Sequence, residues 1–195
     1  MPEASHSAPA RARRGSPHAA HDRAEAPAEA LSEGRQYLTF TLHQAMYAVA
    51  ILAVREIIEY GSPTVVPMMP AAVRGVINLR GAVVPVVDLQ VRFGGQPAAP
   101  GKRTCIVIVE ASGGQEGQRQ VMGMVVDSVS EVLDIPDTDI EPAPTFGTQI
   151  RGDFIEGMGK VRGRFVIVLD IERVLALDEL GMPAVQAEPA SGTGG

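Results

Sequence analysis

The chain has 195 residues and is 45% hydrophobic, enough for one ordinary domain or two small ones sharing a core. Its formal charge of −6 and pI near 5.2 argue against a nucleic-acid partner, which would call for a basic face. One cysteine excludes an internal disulfide and suits a reducing cytoplasm, no apolar run approaches the ~20 residues of a membrane span, and 4% aromatic content without Trp disfavours a sugar- or base-stacking site.

Residues 1–35 are Ala, Pro, Ser, Glu, Arg and His with almost no large apolar side chain, so they cannot offset their own ordering entropy and read as a disordered tail. Arg11, Arg13 and Arg14 precede no apolar segment, so this is not a secretory signal. The spacing of His6, His18 and His21 matches no common metal motif. Order begins near Gln36. Leu38, Phe40 and Leu42 alternate with Tyr37, Thr39 and Thr41, the pattern of a half-buried strand. His43-Gln44-Ala45 turns the chain into a strand from Met46, a short helical turn is expected at Ala50–Ala53, and a third strand runs from Val54 to Tyr60. Val65–Pro70 holds two prolines and reads as an extended connection or an edge. Val76–Leu79 and Ala82–Val87 flank Arg80-Gly81 as a hairpin, with Gly81 free to take positive φ; Pro85 suggests an edge or a bulge.

Gly94–Gly101 is a loop, and Thr104–Glu110 is an aliphatic strand covered on both faces. Within it Cys105 reads as a small buried hydrophobe rather than a reactive thiol. Ala111–Arg119 is an exposed hairpin loop between strands; Val121–Val126 and Val129–Leu133 follow. A long Pro-containing connection, Ile135–Gln149, leads to a second hairpin, Phe154–Val161 and Arg164–Leu169. A short closing helix is expected within Ile171–Leu180, and residues 181–195 read as a flexible tail.

Parts of the chain repeat. GVINLRGAVVPVVDLQVRF at Gly75–Phe93 lies over GMGKVRGRFVIVLDIERVL at Gly157–Leu175, matching Arg80-Gly81 with Arg162-Gly163 and Asp88 with Asp170. YAVAILAVREII at Tyr47–Ile58 lies over MGMVVDSVSEVL at Met122–Leu133, matching Val54 with Val129, Glu56 with Glu131 and Ile57 with Val132. A weaker third pair sets Tyr37–Leu42 over Thr104–Val109. Three matches in one order indicate an internal duplication of a β-subdomain. About ten short strands with little helix make the class all-β. Two small barrels of about five strands each would close the sheet edges and, their cores being small, pack on each other.

Catalytic patterns are missing. No G-x-S-x-G occurs, and the one histidine outside the tail, His43, lies in a turn. Gly157-Met158-Gly159-Lys160 fails as a phosphate loop because Phe154 stands where a glycine is needed and a hairpin follows. Asp134, Asp137, Asp139 and Glu141 are interrupted by Pro136 and lack the central glycine of a calcium loop. A small barrel enzyme using this acidic run is the alternative of a different class. What remains is a binding surface carrying one Glu and one Arg per repeat, Glu56 with Arg80 and Glu131 with Arg162. As ordinary surface charges such pairs contribute ~0–1 kcal/mol.

The segment from Tyr47 through P-x-x-V-R-G-V-I-N-L-R-G at Pro70–Gly81 and V-V-P-V-V-D-L at Val83–Leu89 resembles the CheW family of bacterial chemotaxis coupling proteins, and the similarity runs from Gln36 to about Leu180. The same domain occurs in the kinase CheA and the adaptor CheV, whose further domains this length does not accommodate. The resemblance implies two tandem five-stranded SH3-like β-barrels, here a CheW-like domain at 36–180 made of two intertwined barrel subdomains. It implies no catalysis, no cofactor and no metal. It implies an adaptor linking chemoreceptor cytoplasmic tips to the regulatory domain of CheA in a membrane-associated array, without membrane insertion. By position it implies partner-binding residues at Glu56 and Arg80, and at Val54, Gly75, Gly123, Val129 and Val132. An apolar groove between the barrels would take the receptor tip. An adaptor of the same fold in a surface-motility or second-messenger array is the runner-up.

Overall fold

A computed structural model describes residues 34–97, 99–112, 119–143 and 150–182. Eleven strands are present among them: β1 (Arg35–Leu42), β2 (Ala45–Ala50), β3 (Val54–Glu59), β4 (Val73–Leu79), β5 (Ala82–Asp88), β6 (Cys105–Ser112), β7 (Arg119–Val126), β8 (Ser128–Ile135), β9 (Ile140–Glu141), β10 (Ile155–Val161) and β11 (Arg164–Leu169). Single turns of helix follow each hairpin, α1 (Leu89–Arg92) and α2 (Ile171–Val174). The expected helical turn is a 3-10 turn at Ile51–Ala53. The interior of the 111–119 loop and the residues from 183 onward lie outside the described residues.

The strands form two sheets, ordered β3-β6-β7-β5-β4 and β8-β1-β2-β11-β10-β9. Each therefore takes strands from both repeats. In the first sheet β3, β4 and β5 of the first repeat are completed by β6 and β7 of the second; in the second sheet β1 and β2 complete β8, β10 and β11. The exchange is symmetric to the residue. Parallel pairing sets Val86 against Gly123 in one sheet and Val168 against Ala48 in the other. The second sheet has six strands where five were expected, the extra one being the two-residue β9. Its counterpart in the first sheet is an isolated bridge from Thr64 to Val76.

The third repeat match slips by two residues. Phe40 faces Tyr47 and Val109 faces Met122, so Phe40 corresponds to Val109 and Tyr37 to Ile106, not to Thr104. A slip of two keeps every side chain on its own face, so alternation alone could not detect it. A second correction concerns β1. Its Leu38, Phe40 and Leu42 face one core while Tyr37 faces another, and Thr39 is also buried, so the strand is covered on both faces. Pro85 sits inside the sheet, paired with Val76, at the point where the parallel ladder from β5 to β7 has not yet begun; that ladder starts at Val86.

Each barrel encloses a small core. Val84, Val86, Ile106, Ile108 and Val125 fill one, and Tyr37, Ala48, Ile135, Val166 and Val168 the other. The dominant core lies between the sheets. It joins Leu38, Phe40 and Val49 to Val107, Val109, Met122 and Met124, and is capped by Leu89, Phe154, Leu175 and Leu180. Burial follows apolar area, so most of the stabilisation lies at this shared core and neither barrel is a free-standing unit. Met182, assigned to the C-terminal tail by composition, is buried in it, and Arg35 already belongs to β1.

The V-D-L aspartate has a structural task in both repeats. Asp88 Oδ1 accepts the N–H groups of Gln90 and Val91, and Asp170 Oδ1 that of Arg173, which caps the two helical turns. Asp88 is buried and also holds Arg74, with Nη2–Oδ2 at 2.6 Å.

Candidate functional site: paired charges at the barrel ends

Both repeats place an Arg-Gly pair between strands in direct register, Leu79 with Ala82 and Val161 with Arg164. Positive φ occurs at both turn residues, 51° at Arg80 and 90° at Gly81, 49° at Arg162 and 76° at Gly163. This is the two-residue turn whose twist matches that of the strands. Gly81 N–H also donates to Asn78 Oδ1 at 2.8 Å, which gives the Asn of N-L-R-G a reason to be there.

The turn projects Arg80 outward, its side chain 80% exposed, and Arg80 Nη2 donates to Glu56 Oε2 at 2.9 Å. Glu56 lies on β3 and Arg80 follows β4, the two outer strands of the first sheet, so the pair ties its open edges together. Arg162 and Glu131 repeat the arrangement on the other barrel at 3.3 Å, from the β10–β11 turn to edge strand β8.

Apolar side chains stand exposed at matching positions. Ile57 and Val83 are 45% and 71% exposed on the first barrel; Val132 and Phe165 are 46% and 58% exposed on the second. Sequence position singles out Val132 but not Ile57, Val83 or Phe165. The duplication could have supplied them, because Ile57 aligns with Val132 and Val83 with Phe165, one step out of phase with the buried Val84 and Val166.

The remaining candidates separate into two groups. Val54 and Val129 are half-buried and pack on the central core where β3 and β8 begin. Gly75 and Gly123 are buried. At Gly75, φ is 141° and a Cβ would stand 2.2 Å from Thr64 O; the glycine lets the 61–72 connection bridge onto β4. At Gly123 a Cβ would stand 2.7 Å from Ile106 Cγ2, inside the barrel core. Sequence position could not separate these glycines from contact residues, since their neighbours come from remote segments.

The acidic run is not assembled into a site. Asp137 is engaged by Arg35 at 2.9 Å, and no group of three His, Cys, Asp or Glu side chains suited to a metal occurs among the described residues. His43 donates its backbone N–H to Asp127 and places Nδ1 3.1 Å from Gln90 Nε2, with no nucleophile in the arrangement. Cys105 is half-buried, and burial pushes its thiol above the ordinary range. Among the described residues no helix is long and apolar enough to cross a membrane.

Two barrels sharing one core, each with a charge pair and exposed apolar side chains, define an adaptor module. Residues 36–179 match the CheW-like domain model. The chain is 36% identical over 149 residues to the chemotaxis protein CheW of Klebsiella aerogenes, covering 76% of this chain and 86% of that one. It is 35% identical over 146 residues to CheW of Rhizobium meliloti, covering 75% and 90%. A crystal structure of the scaffolding protein TtCheW from Thermoanaerobacter tengcongensis superposes with a TM-score of 0.64 at 34% identity, covering 72% of this chain and 92% of that one. The chain belongs to the CheW family of chemotaxis adaptor proteins.

Proposed function

We propose that this chain is a non-catalytic adaptor that couples the cytoplasmic tips of methyl-accepting chemoreceptors to the regulatory domain of the histidine kinase CheA, in an array at the membrane that the chain itself does not enter. The observation that carries this reading is the Arg80–Glu56 pair on the exposed turn of N-L-R-G, with Ile57 and Val83 exposed on the same sheet. An ion pair open to solvent on its arginine side contributes little to folding and much to an interface once covered. In this reading Glu56, Arg80 and Val132 touch partners, and Val54 and Val129 shape the groove between the barrels that takes the receptor tip. Gly75 and Gly123 act through the fold.

Reconstitution tests the proposal. The purified chain should show no ATP hydrolysis and no phosphorylation of its own, yet change kinase output when added to receptor-bearing membranes with CheA. Stoichiometric phosphorylation of the isolated chain at a histidine or aspartate would contradict it.

A further inference from the structure

The two terminal helical turns leave their sheets alike and then part. Phe93 N–H donates to Leu89 O at 3.0 Å as Leu175 N–H does to Ile171 O at 3.0 Å. Gly94 N–H then meets Val91 O as Ala176 N–H meets Arg173 O. Beyond this point Gly94 takes φ 86° and Gly95 N–H turns back onto Gln90 O at 2.9 Å, so the chain moves away from the core. The second repeat instead sends Leu177 and Leu180 into the central core, where both are buried.

Beneath this turn lies a hollow of about 340 Å³, walled by Leu42, Tyr47, Phe93 and Ile150 and by Gly95 and Gln96 of the diverted chain itself. Tyr47 and Phe93 stack in it with ring centroids 5.8 Å apart. Gln90 is nine-tenths buried, and its Oε1 has no hydrogen-bond partner among the described residues. Past His43 and Gln90 a second hollow of about 460 Å³ continues to Lys102 and Arg103, with Asp127 also in its wall.

We propose that this hollow docks an acidic peptide segment anchored by a leucine, the chemistry of the Leu-Asp-Glu-Leu stretch that the second repeat carries at 177–180. The leucine covers the stacked rings of Tyr47 and Phe93. The carboxylates meet Lys102 and Arg103, the two cations that outnumber Asp127 on that wall. The second repeat supplies this filling from its own chain; the first, having diverted at Gly94, takes it from a partner.

The test is a titration of the ¹⁵N-labelled full chain with a capped octapeptide of the sequence Leu-Ala-Leu-Asp-Glu-Leu-Gly-Met, followed by amide shifts. Saturable shifts at His43, Gln90 and Phe93 are expected, with affinity falling about fivefold in the Lys102→Glu/Arg103→Glu variant, the size of effect expected from exposed charge pairs. Both residues are exposed, so the variant's unperturbed spectrum checks that it is folded. Absence of shifts at millimolar peptide would overturn the proposal. So would an affinity indifferent to the charge reversal, or shifts centred on Arg151 and Glu179, which would mean the peptide exchanges with the chain's own segment.

Discussion

The guanidinium of Arg92 lies 4.5 Å from the centroid of the Phe154 ring. Arg151 covers the same ring at 4.7 Å, and Glu179 accepts from both arginines, at 2.8 Å from Arg92 and 2.9 Å from Arg151. Arg92 Nε also donates to Val174 O at 2.8 Å. The first repeat's α1 is thereby tied to the second repeat's α2 and to the 175–182 segment. Arg92 is the buried member, its side chain 9% exposed. Arg92→Ala should therefore lower stability by about 1–3 kcal/mol, from a lost cation–π contact and an unpaired carbonyl. Denaturant melts of the variant check this; Arg92→Lys should recover only part, since a lysine cannot repeat the forked contacts.

The same cluster sets a pH dependence. Hydrogen bonding from Arg92 holds the Glu179 carboxyl below its ordinary value, and Arg151 does the same for Asp153. A carboxyl whose folded pKa is depressed contributes stability above its unfolded value and loses it as pH falls through the folded one. The contribution should be full at neutral pH and fade below roughly pH 4. Thermal melts from pH 7 to pH 3 should show a smaller loss for Glu179→Gln than for the wild type, because the variant has already given up that part.

Much of this was legible in the sequence. The duplication, the hairpins and the Arg-Gly turns follow from alternation, glycine placement and two polar landmarks. The rest was not. Alternation has a period of two, so it could not reveal that the β1–β6 match slips by two residues, nor that β1 is covered on both faces. Which barrel each strand joins depends on pairing across the repeats, and local pattern carries no record of that. For the same reason Gly75 and Gly123 could be placed by position but not sorted from contact residues. Their obstructing neighbours, Thr64 and Ile106, lie 11 and 17 residues away along the chain.

These glycines give a prediction of their own. Gly123→Val forces side-chain volume against Ile106 and Val86 and should cost about 1–3 kcal/mol. Gly75→Ala meets backbone at Thr64 and an unfavourable φ, and should cost at least as much. Both variants should lose coupling in proportion to their loss of melting temperature. Undiminished stability with lost coupling in either would return that glycine to the contact surface.

Cys105 should behave as a packing residue. Its thiol is pushed up by burial, so at pH 7.5 little thiolate is available. Alkylation of the native chain should be much slower than that of the urea-unfolded chain, and Cys105→Ser should leave kinase coupling intact. Rapid labelling of the folded protein would mark the site as open.

The coupling role of Arg80 is tested by comparing melting temperature with receptor-dependent kinase activity in Arg80→Ala, Glu56→Ala and the charge-swapped double variant. Arg80 is 80% exposed and Glu56 25% exposed, so removing the arginine should change folding by only ~0–1 kcal/mol. Desolvated beneath a partner, loss of one member should cost ~2–5 kcal/mol of binding. The account predicts near-wild-type melting with receptor-dependent activity largely lost in both single variants, and partial recovery in the swap. An Arg80→Ala protein that unfolds, or one that keeps both its stability and its kinase activation, would contradict it.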